Sequence, residues 1–302
     1  MEAATILVIG SANMDMIVKS ASLPRLGETV IGGSFSMVPG GKGANQAVAA
    51  ARLGGRVTFL TCLGDDEFGQ SLRATYEREG IDTGMVQVLA QTHTGVAFIL
   101  VDSRGENMIS VASGANAAFT PERLRALESL AASPRWVLLQ LEIPPATVEA
   151  SARWAKERGV RVILDPAPAP RMGLPDSLLS LVDILTPNEV EAAALVGRAV
   201  STMEEAISAG RALAARGARE VIVKLGERGG VCVSGSGHWT YPTPKVVAVD
   251  STAAGDCFAG ALAVGLSEGM STREACELAA RAAAISVTRM GAQSSLPRRE
   301  EL

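Results

Sequence analysis

Histidine is nearly missing from this 302-residue chain: only His93 and His238 occur, far apart. A histidine-rich metal centre is excluded, and a Ser-His-Asp triad would have to use one of two residues that no motif surrounds. Cysteine is sparse as well. Cys62, Cys232, Cys257 and Cys276 are scattered with no C-x-x-C pair, and with no export signal they are expected to be reduced thiols in a cytoplasmic protein. Basic residues never run longer than Arg298-Arg299 and the formal net charge is −4, so no nucleic-acid partner is expected. Long apolar runs are absent too: Thr5 to Gly10 is too short for a membrane span or a signal core, and reads as a first buried strand. No membrane partner is expected. Aromatics make up 4% of the residues against 47% apolar overall, so the core must be built from Ala, Val, Leu and Ile, which suits α/β layers.

What is present is a regular alternation. The strand-like pieces are Ile6–Ile9, Val57–Leu60, Val137–Gln140, Val160–Leu164, Ile184–Leu185 and Val221–Val223. Helix-compatible segments lie between them at Ala44–Leu53, Phe68–Glu79, Pro121–Ala131, Pro145–Arg158, Val190–Val196 and Met203–Arg216. Short buried runs separated by helices predict a mostly parallel sheet covered on both faces. Met14–Val38 and Thr94–Ser113 break the pattern with β-rich stretches punctuated by Gly27, Gly32-Gly33 and Gly105. They are expected to be antiparallel strands forming one small sheet, suited to a lid or a dimer interface. The competing reading makes them edge hairpins of the main sheet. No repeat, low-complexity tract or linker splits the chain, so residues 1–302 are expected to form one domain, with lid strands inserted at about 12–38 and 94–113.

The richest motif is Asp250-Ser-Thr-Ala-Ala-Gly-Asp-Cys-Phe-Ala-Gly260, between a β-like segment (Lys245–Val249) and a helix-compatible run (Phe258–Leu266). Ala253, Ala254 and Gly255 can present backbone N–H groups at a helix start, where an anion is favoured. Asp256 then makes sense as the acceptor of a substrate hydroxyl proton while those N–H groups hold the developing charge, which is phosphoryl transfer to an alcohol. The plainer alternative is a carboxylate interacting with the helix dipole. Cys257 has no basic neighbour to activate it and is expected to be small-residue packing.

Four further motifs sit at strand ends. Pro39-Gly-Gly-Lys-Gly-Ala-Asn-Gln46 offers glycines for close approach, with Lys42 and Asn45 for charge and hydrogen bonds, but lacks Walker A spacing. In Gly10-Ser-Ala-Asn-Met-Asp15, Asn13 and Asp15 can together grip vicinal hydroxyls, or merely form an Asx turn. In Thr186-Pro-Asn-Glu-Val-Glu191, Asn188 and Glu191 share a face of a first helical turn, suited either to the waters around Mg²⁺ or to capping. Lys224-Leu-Gly-Glu-Arg-Gly-Gly230 supplies a second glycine turn for a nucleotide.

Taken together and in this order, the motifs resemble the ribokinase family, also called the PfkB carbohydrate kinases, over essentially the whole chain. Ser113-Gly-Ala-Asn-Ala117, Asp165-Pro-Ala-Pro168 and Val287-Thr-Arg-Met-Gly-Ala-Gln293 strengthen the resemblance. It implies a three-layer α/β/α fold with a mostly parallel central sheet and a β-sheet lid that commonly builds a homodimer. It also implies ATP-dependent phosphorylation of D-ribose at its 5-hydroxyl. By similarity Asp256 is the catalytic base, with the Ala253–Gly255 amides as an anion hole. Asn13, Asp15, Gly41, Lys42, Asn45, Glu142 and Asp256 match sugar-contacting positions. Asn188, Lys224, Gly226, Gly229 and Gly255 match nucleotide positions, and Asn188 with Glu191 matches the element that organises Mg²⁺ and phosphate. Asp250, Thr252, Ser286, Arg289, Gly291 and Ser295 match a site for an activating K⁺.

There are departures. Lys224 stands where relatives often place a small hydroxyl residue, Ala280 where some use His or Asn near adenine, and Cys257 where Thr or Ala is usual. Two other functions compete. One is a kinase for another sugar, deoxyribose or a nucleoside, although Phe35 and Phe98 are nearly the only lid aromatics to stack a base. The other is a non-catalytic sugar sensor, which loss of Asp256 or of the glycine loops would mark; all are present.

Overall fold

The computed structural model describes residues 5–130, 132–170 and 172–302. In chain order the strands are β1 (Thr5–Ile9), β2 (Asn13–Lys19), β3 (Ser34–Gly40), β4 (Arg56–Leu60), β5 (Cys62–Gly64), β6 (Gln87–Leu89), β7 (Gly95–Val101) and β8 (Asn107–Ala112). They continue as β9 (Trp136–Leu139), β10 (Arg161–Leu164), β11 (Ile184–Leu185), β12 (Glu220–Lys224), β13 (Gly230–Ser234) and β14 (Gly237–Tyr241). The α-helices are α1 (Lys42–Arg52), α2 (Glu67–Arg78), α3 (Pro145–Glu157), α4 (Asp176–Leu179), α5 (Glu189–Val196), α6 (Met203–Ala215), α7 (Ala254–Ser267) and α8 (Thr272–Ser286).

The central sheet has eight strands in the order β14-β13-β12-β11-β10-β9-β1-β4, parallel except for the β12-β13-β14 meander at one edge. Its parallel strands are largely apolar on both faces, as a sheet sandwiched between helices requires, whereas the edge strand β14 is mostly exposed. Along β1, Ile6 and Val8 join the core under α1, α2, α7 and α8, whereas Leu7 and Ile9 join the core under α3, α5 and α6. The expected α/β/α layering is therefore present, and β5 pairs with β6 as a separate two-stranded ribbon.

The two β-rich insertions do form one sheet of their own, in the order β3-β2-β7-β8. This removes the edge-hairpin reading. One expectation is corrected: the strands are not all antiparallel, because β2 and β7, which come from different insertions, run parallel. Registers place Met16, Val18, Phe35, Met37, Phe98, Leu100 and Met108 on one face, and Asp15, Ile17, Ile99, Ile109 and Val111 on the other.

Two other expectations change. Pro121–Ser129 is a 3₁₀-helix rather than an α-helix, and Ala131, the last residue of the expected segment, lies outside the described residues. Lys245–Val249 joins no sheet; Val249 N–H instead donates to the Val287 carbonyl at 2.7 Å, so the approach to Asp250 is an extended loop tied to the end of α8. No helix among the described residues is long and apolar enough to cross a membrane.

Candidate active site

The cleft opens at the carboxyl ends of the parallel strands, where open α/β sheets present their loops. Ser11 follows β1, Gln140 and Glu142 follow β9, Asp165 follows β10, Asn188 follows β11, and Lys224 ends β12. These five strands are contiguous in the sheet, so the residues form one row. The cleft is about 1100 Å³ and is lined by Lys42, Asp165, Asn188, Glu191, Lys224 and Asp256 among others.

α7 begins at the lip of this cleft. Its N-cap, Ala253, is in the left-handed region (φ 58°) and supplies no side-chain cap, which leaves amides at the helix start free for an anion. One of the three expected anion-hole amides is already engaged, since Ala254 N–H donates to the Ser251 carbonyl at 3.2 Å. A Cβ on Gly255 would stand 3.4 Å from Lys224 Nζ, so this ammonium lies over the same helix start.

Asp256 is 4% exposed, behind the lip. Asn45 Nδ2 donates to its Oδ2 at 2.9 Å and Gln46 Nε2 to its Oδ1 at 3.0 Å. Burial raises its pKa above the ordinary carboxylate range and Asp165 adds to the rise, opposed by Lys42 and by the two amide hydrogen bonds. The plain dipole reading does not account for a carboxylate turned inward onto two amides of α1. That meeting requires α1 and α7 to pack closely, and Gly260 permits it: a Cβ there would stand 2.8 Å from the Gln46 carbonyl oxygen.

The expected sugar residues come together under the small sheet. Gly41, at φ 87°, turns the chain into α1 so tightly that a Cβ would stand 2.8 Å from Asn13 N. Glu142 Oε2 accepts from Ser11 Oγ at 2.6 Å and from Lys42 N at 2.9 Å, fixing β1, α1 and β9 to one another. Asn13 forms no Asx turn; its Oδ1 accepts from Asn116 Nδ2 at 2.7 Å. Asp15 is pushed up to about 7, first by burial and then by Glu142 and Asp256. Of these residues Lys42 reaches the cleft wall, where Asp256 above all, then Asp165, Glu142 and Glu191, hold its ammonium well above its ordinary pKa.

At the nucleotide end, Asn188 and Glu191 form a capping box. Glu191 N donates to Asn188 Oδ1 at 2.8 Å, and Asn188 N donates to Glu191 Oε2 at 2.8 Å. The capping alternative is thus what the local geometry shows, and it leaves Glu191 in the cleft wall with its carboxyl raised by burial against the opposing pull of Lys224. Lys224 Nζ pairs with Asp165 Oδ1 at 2.8 Å. Gly226 and Gly229 bracket a one-turn 3₁₀ loop on the same wall.

The expected cation set is partly assembled. Asp250 Oδ1 accepts from Thr252 N at 2.9 Å and Oδ2 accepts from Gly291 N at 2.8 Å, so the carboxylate already joins the two segments. Burial would raise the Asp250 carboxyl, but the Thr252 hydroxyl, which donates to Oδ1 at 2.6 Å, together with the two backbone hydrogen bonds holds it below its usual range. The hydroxyls of Ser286 and Ser295 donate to the carbonyls of Ala283 and Ala292, each at 2.8 Å, and the Arg289 guanidinium turns away to Glu301. The donor set is all hard oxygen, as K⁺ requires.

Sequence reasoning passed over Ser11, Gln46, Asn116, Gln140 and Asp165. Ser11, Gln46, Asn116 and Asp165 lie inside the motifs above and Gln140 ends a strand-like piece, but their partners are up to 210 residues distant, and nothing local signals that pairing.

A three-layer α/β/α body, a small covering sheet and an uncapped helix start beside a buried carboxylate are the features of the ribokinase-like fold. The pattern of the pfkB family carbohydrate kinases matches residues 3–299. A ribokinase of Haemophilus influenzae is 44% identical over 298 residues, covering 98% of this chain and 96% of that protein. A deoxyribokinase of Salmonella typhi is 38% identical over 98% of this chain and 96% of its own length. The solved Arabidopsis thaliana ribokinase complexed with ribose and ATP superposes with a TM-score of 0.89 at 34% identity, covering 99% of this chain and 97% of that one. The chain belongs to the pfkB family of carbohydrate kinases.

Proposed function

We propose that this chain transfers the γ-phosphoryl group of ATP to the 5-hydroxyl of D-ribose, giving ribose 5-phosphate and ADP. The observation that carries the reading is Asp256, gripped by Asn45 and Gln46 immediately behind the uncapped start of α7. Asn13, Asp15, Lys42, Asn45 and Glu142 hold the sugar with its hydroxyl at Asp256. Asp256 takes the hydroxyl proton as the oxygen bonds to the γ-phosphorus. The bond from that phosphorus to the bridging oxygen breaks, and ADP leaves with the electron pair. The amides of Ala253 and Gly255, with Lys42 and Lys224, face the charge on the transferring group, and the Ala254 amide joins them when it releases the Ser251 carbonyl. Asn188, Lys224, Gly226, Gly229 and Gly255 hold the nucleotide. Mg²⁺ accompanies ATP as charge neutralisation, and Glu191, oriented by Asn188, fits its hydration shell.

Two finer points belong to the same proposal. K⁺ held by Asp250 with oxygens of Thr252, Ser286, Arg289, Gly291 and Ser295 supports the shape of the loop ahead of α7. A homodimer forms through the small sheet, whose outer face exposes Phe35, Met37, Phe98 and Met108 by half or more. The deoxyribokinase relative makes 2-deoxyribose the second substrate to test.

ADP release measured across pentoses, 2-deoxyribose, hexoses and nucleosides tests the substrate. Highest kcat/KM on a nucleoside or a hexose would displace ribose. Asp256→Asn keeps the shape and removes the proton acceptor, so turnover should fall by roughly 10²–10⁴ with ribose and ATP binding retained. Turnover within about threefold of the parent would remove Asp256 from the reaction.

A further inference from the structure

Beneath the cleft, Gln46 is fully buried and its side-chain amide spans two carboxylates. Nε2 donates to Asp256 Oδ1 and to Asp165 Oδ2, both at 3.0 Å, so each amide hydrogen has its own carboxylate. An ionised carboxylate only accepts, which fixes the amino group on that side. The amide oxygen points the other way and accepts from Gln140 Nε2 at 2.5 Å. Gln140 fits there because Gly10 carries no side chain; a Cβ would stand 1.9 Å from Gln140 Oε1. Asn45 takes the other oxygen of Asp256, so two consecutive residues of α1 hold one carboxylate in a fork. Asp165 is anchored in turn by Lys224 and by Thr186 Oγ1 at 3.2 Å.

We infer that Gln46, locked in one orientation by Gln140, is a positioning residue for the phosphoryl transfer: it sets the plane of the Asp256 carboxylate and spaces it from Asp165. The inference rests on Asp256 being the base. The groups facing Asp256 are Lys42, Asn45 and Gln46 from α1, Asp15 from β2 and Asp165 from the end of β10. Two of these, Asp15 and Asp165, are carboxyl groups that favour the protonated base. Gln46 works against them by donating to the ionised form, so its loss moves the acid limb of turnover to higher pH.

The test is kcat and both KM values against pH for the parent, Asp256→Asn, Gln46→Leu, Gln46→Glu and Gln140→Leu, with the folded fraction of each measured by circular dichroism. Gln46→Leu should lose about tenfold to a hundredfold in kcat at neutral pH, the scale of a misplaced catalytic group, with its acid limb displaced upward by about one pH unit. Both KM values should stay within about threefold. Gln140→Leu should move the limb the same way by less, and Gln46→Glu further, by adding a third carboxyl group. If Gln46→Leu does not fold, the other two variants carry the test. Unmoved limbs, with losses that only follow the folded fraction, would overturn the inference and leave Gln46 a packing residue. Asp256→Asn separates the failures: if it stays active the base assignment itself is wrong, and if it is inactive while the limbs hold still, only Gln46 has been misread.

Discussion

Asp15 places an acid where the surroundings oppose its charge. Its carboxyl holds a proton up to about 7 in the folded chain, against 3.8 for a free aspartate, because it is buried and faces Glu142 and Asp256. Between those two values the folded state binds more protons than the unfolded state. The stability that Asp15 contributes therefore falls as pH rises through this window and is gone above about 7. Asparagine has the same shape and never ionises. The Tm advantage of Asp15→Asn over the parent should widen from about pH 4.5 to about pH 7 and then level off. A constant difference across that range would mean Asp15 is solvated and ordinary. Asp15→Ala, which removes the hydrogen-bonding group, should raise the KM for ribose far more than that for ATP, since a hydroxyl left unpaired in a dry pocket costs about 1–3 kcal/mol. A change confined to ATP would move this strand end out of the sugar site.

At the scale of elements, the loop before α7 depends on a contact it makes elsewhere. Asp250 joins Thr252 to Gly291, and Val249 and Asp250 both donate to the Val287 carbonyl, so the loop is moored to the end of α8. A cation on these oxygens would tighten that mooring without touching substrate. Turnover should rise when K⁺ replaces Na⁺ at constant ionic strength, and Asp250→Asn should blunt the response; fixed ionic strength keeps bulk screening from imitating it. Equal rates in Na⁺, K⁺ and Cs⁺ would leave the hydrogen bonds sufficient by themselves. The elements differ in how readable they were. β1 from Ile6 and β9 are unbroken apolar runs, β4 from Val57 is broken only by Thr58, and their buried pattern alone places them. α8 went unread although Ser271 and Glu274 cap its start and its apolar residues share a face, because that face is mostly alanine rather than large side chains. Valine content made Lys245–Val249 look like a strand, but Pro242 and Pro244 precede it and no sheet edge receives it. The parallel pairing of β2 with β7 was beyond reach for a different reason: side-chain alternation reports which face is buried, not the direction of a distant partner. The site followed the same rule. Asp256, Lys42 and Asn45 stand in local motifs, whereas the Gln46–Asp165 bridge exists only once α1 and the end of β10 have met.

At the scale of the whole molecule, the outer face of the small sheet is an uncovered apolar surface in the single chain. Asp15 and Asn13 occupy alternate positions on β2 and so share the face that carries Asp15 toward Glu142 and Asp256, which leaves Met16, Val18, Phe98 and Leu100 on the opposite face. Phe35, Phe98, Met37 and Met108 are 51–61% exposed, and they form one continuous apolar patch rather than scattered side chains. Such a patch needs a cover. A second copy of the chain meets the need through a two-fold axis, since the same strands then supply both sides of the contact. The covering copy would also stiffen β2, and with it Asn13 and Asp15, so assembly and sugar binding should be linked. Sedimentation should show a dimer for the parent, and Phe98→Glu should dissociate it, because a carboxylate at the centre of an apolar interface is costly to bury. Phe98 is exposed in the single chain, so its replacement should leave the Tm of the main body nearly unchanged. In the dissociated variant the KM for ribose should rise while the KM for ATP, whose proposed residues lie after β11, at and after the end of β12 and on α7, stays near that of the parent. A parent that sediments as a monomer at tens of micromolar would assign the patch another cover. A monomeric Phe98→Glu with unaltered ribose KM would keep the dimer but detach it from the sugar site.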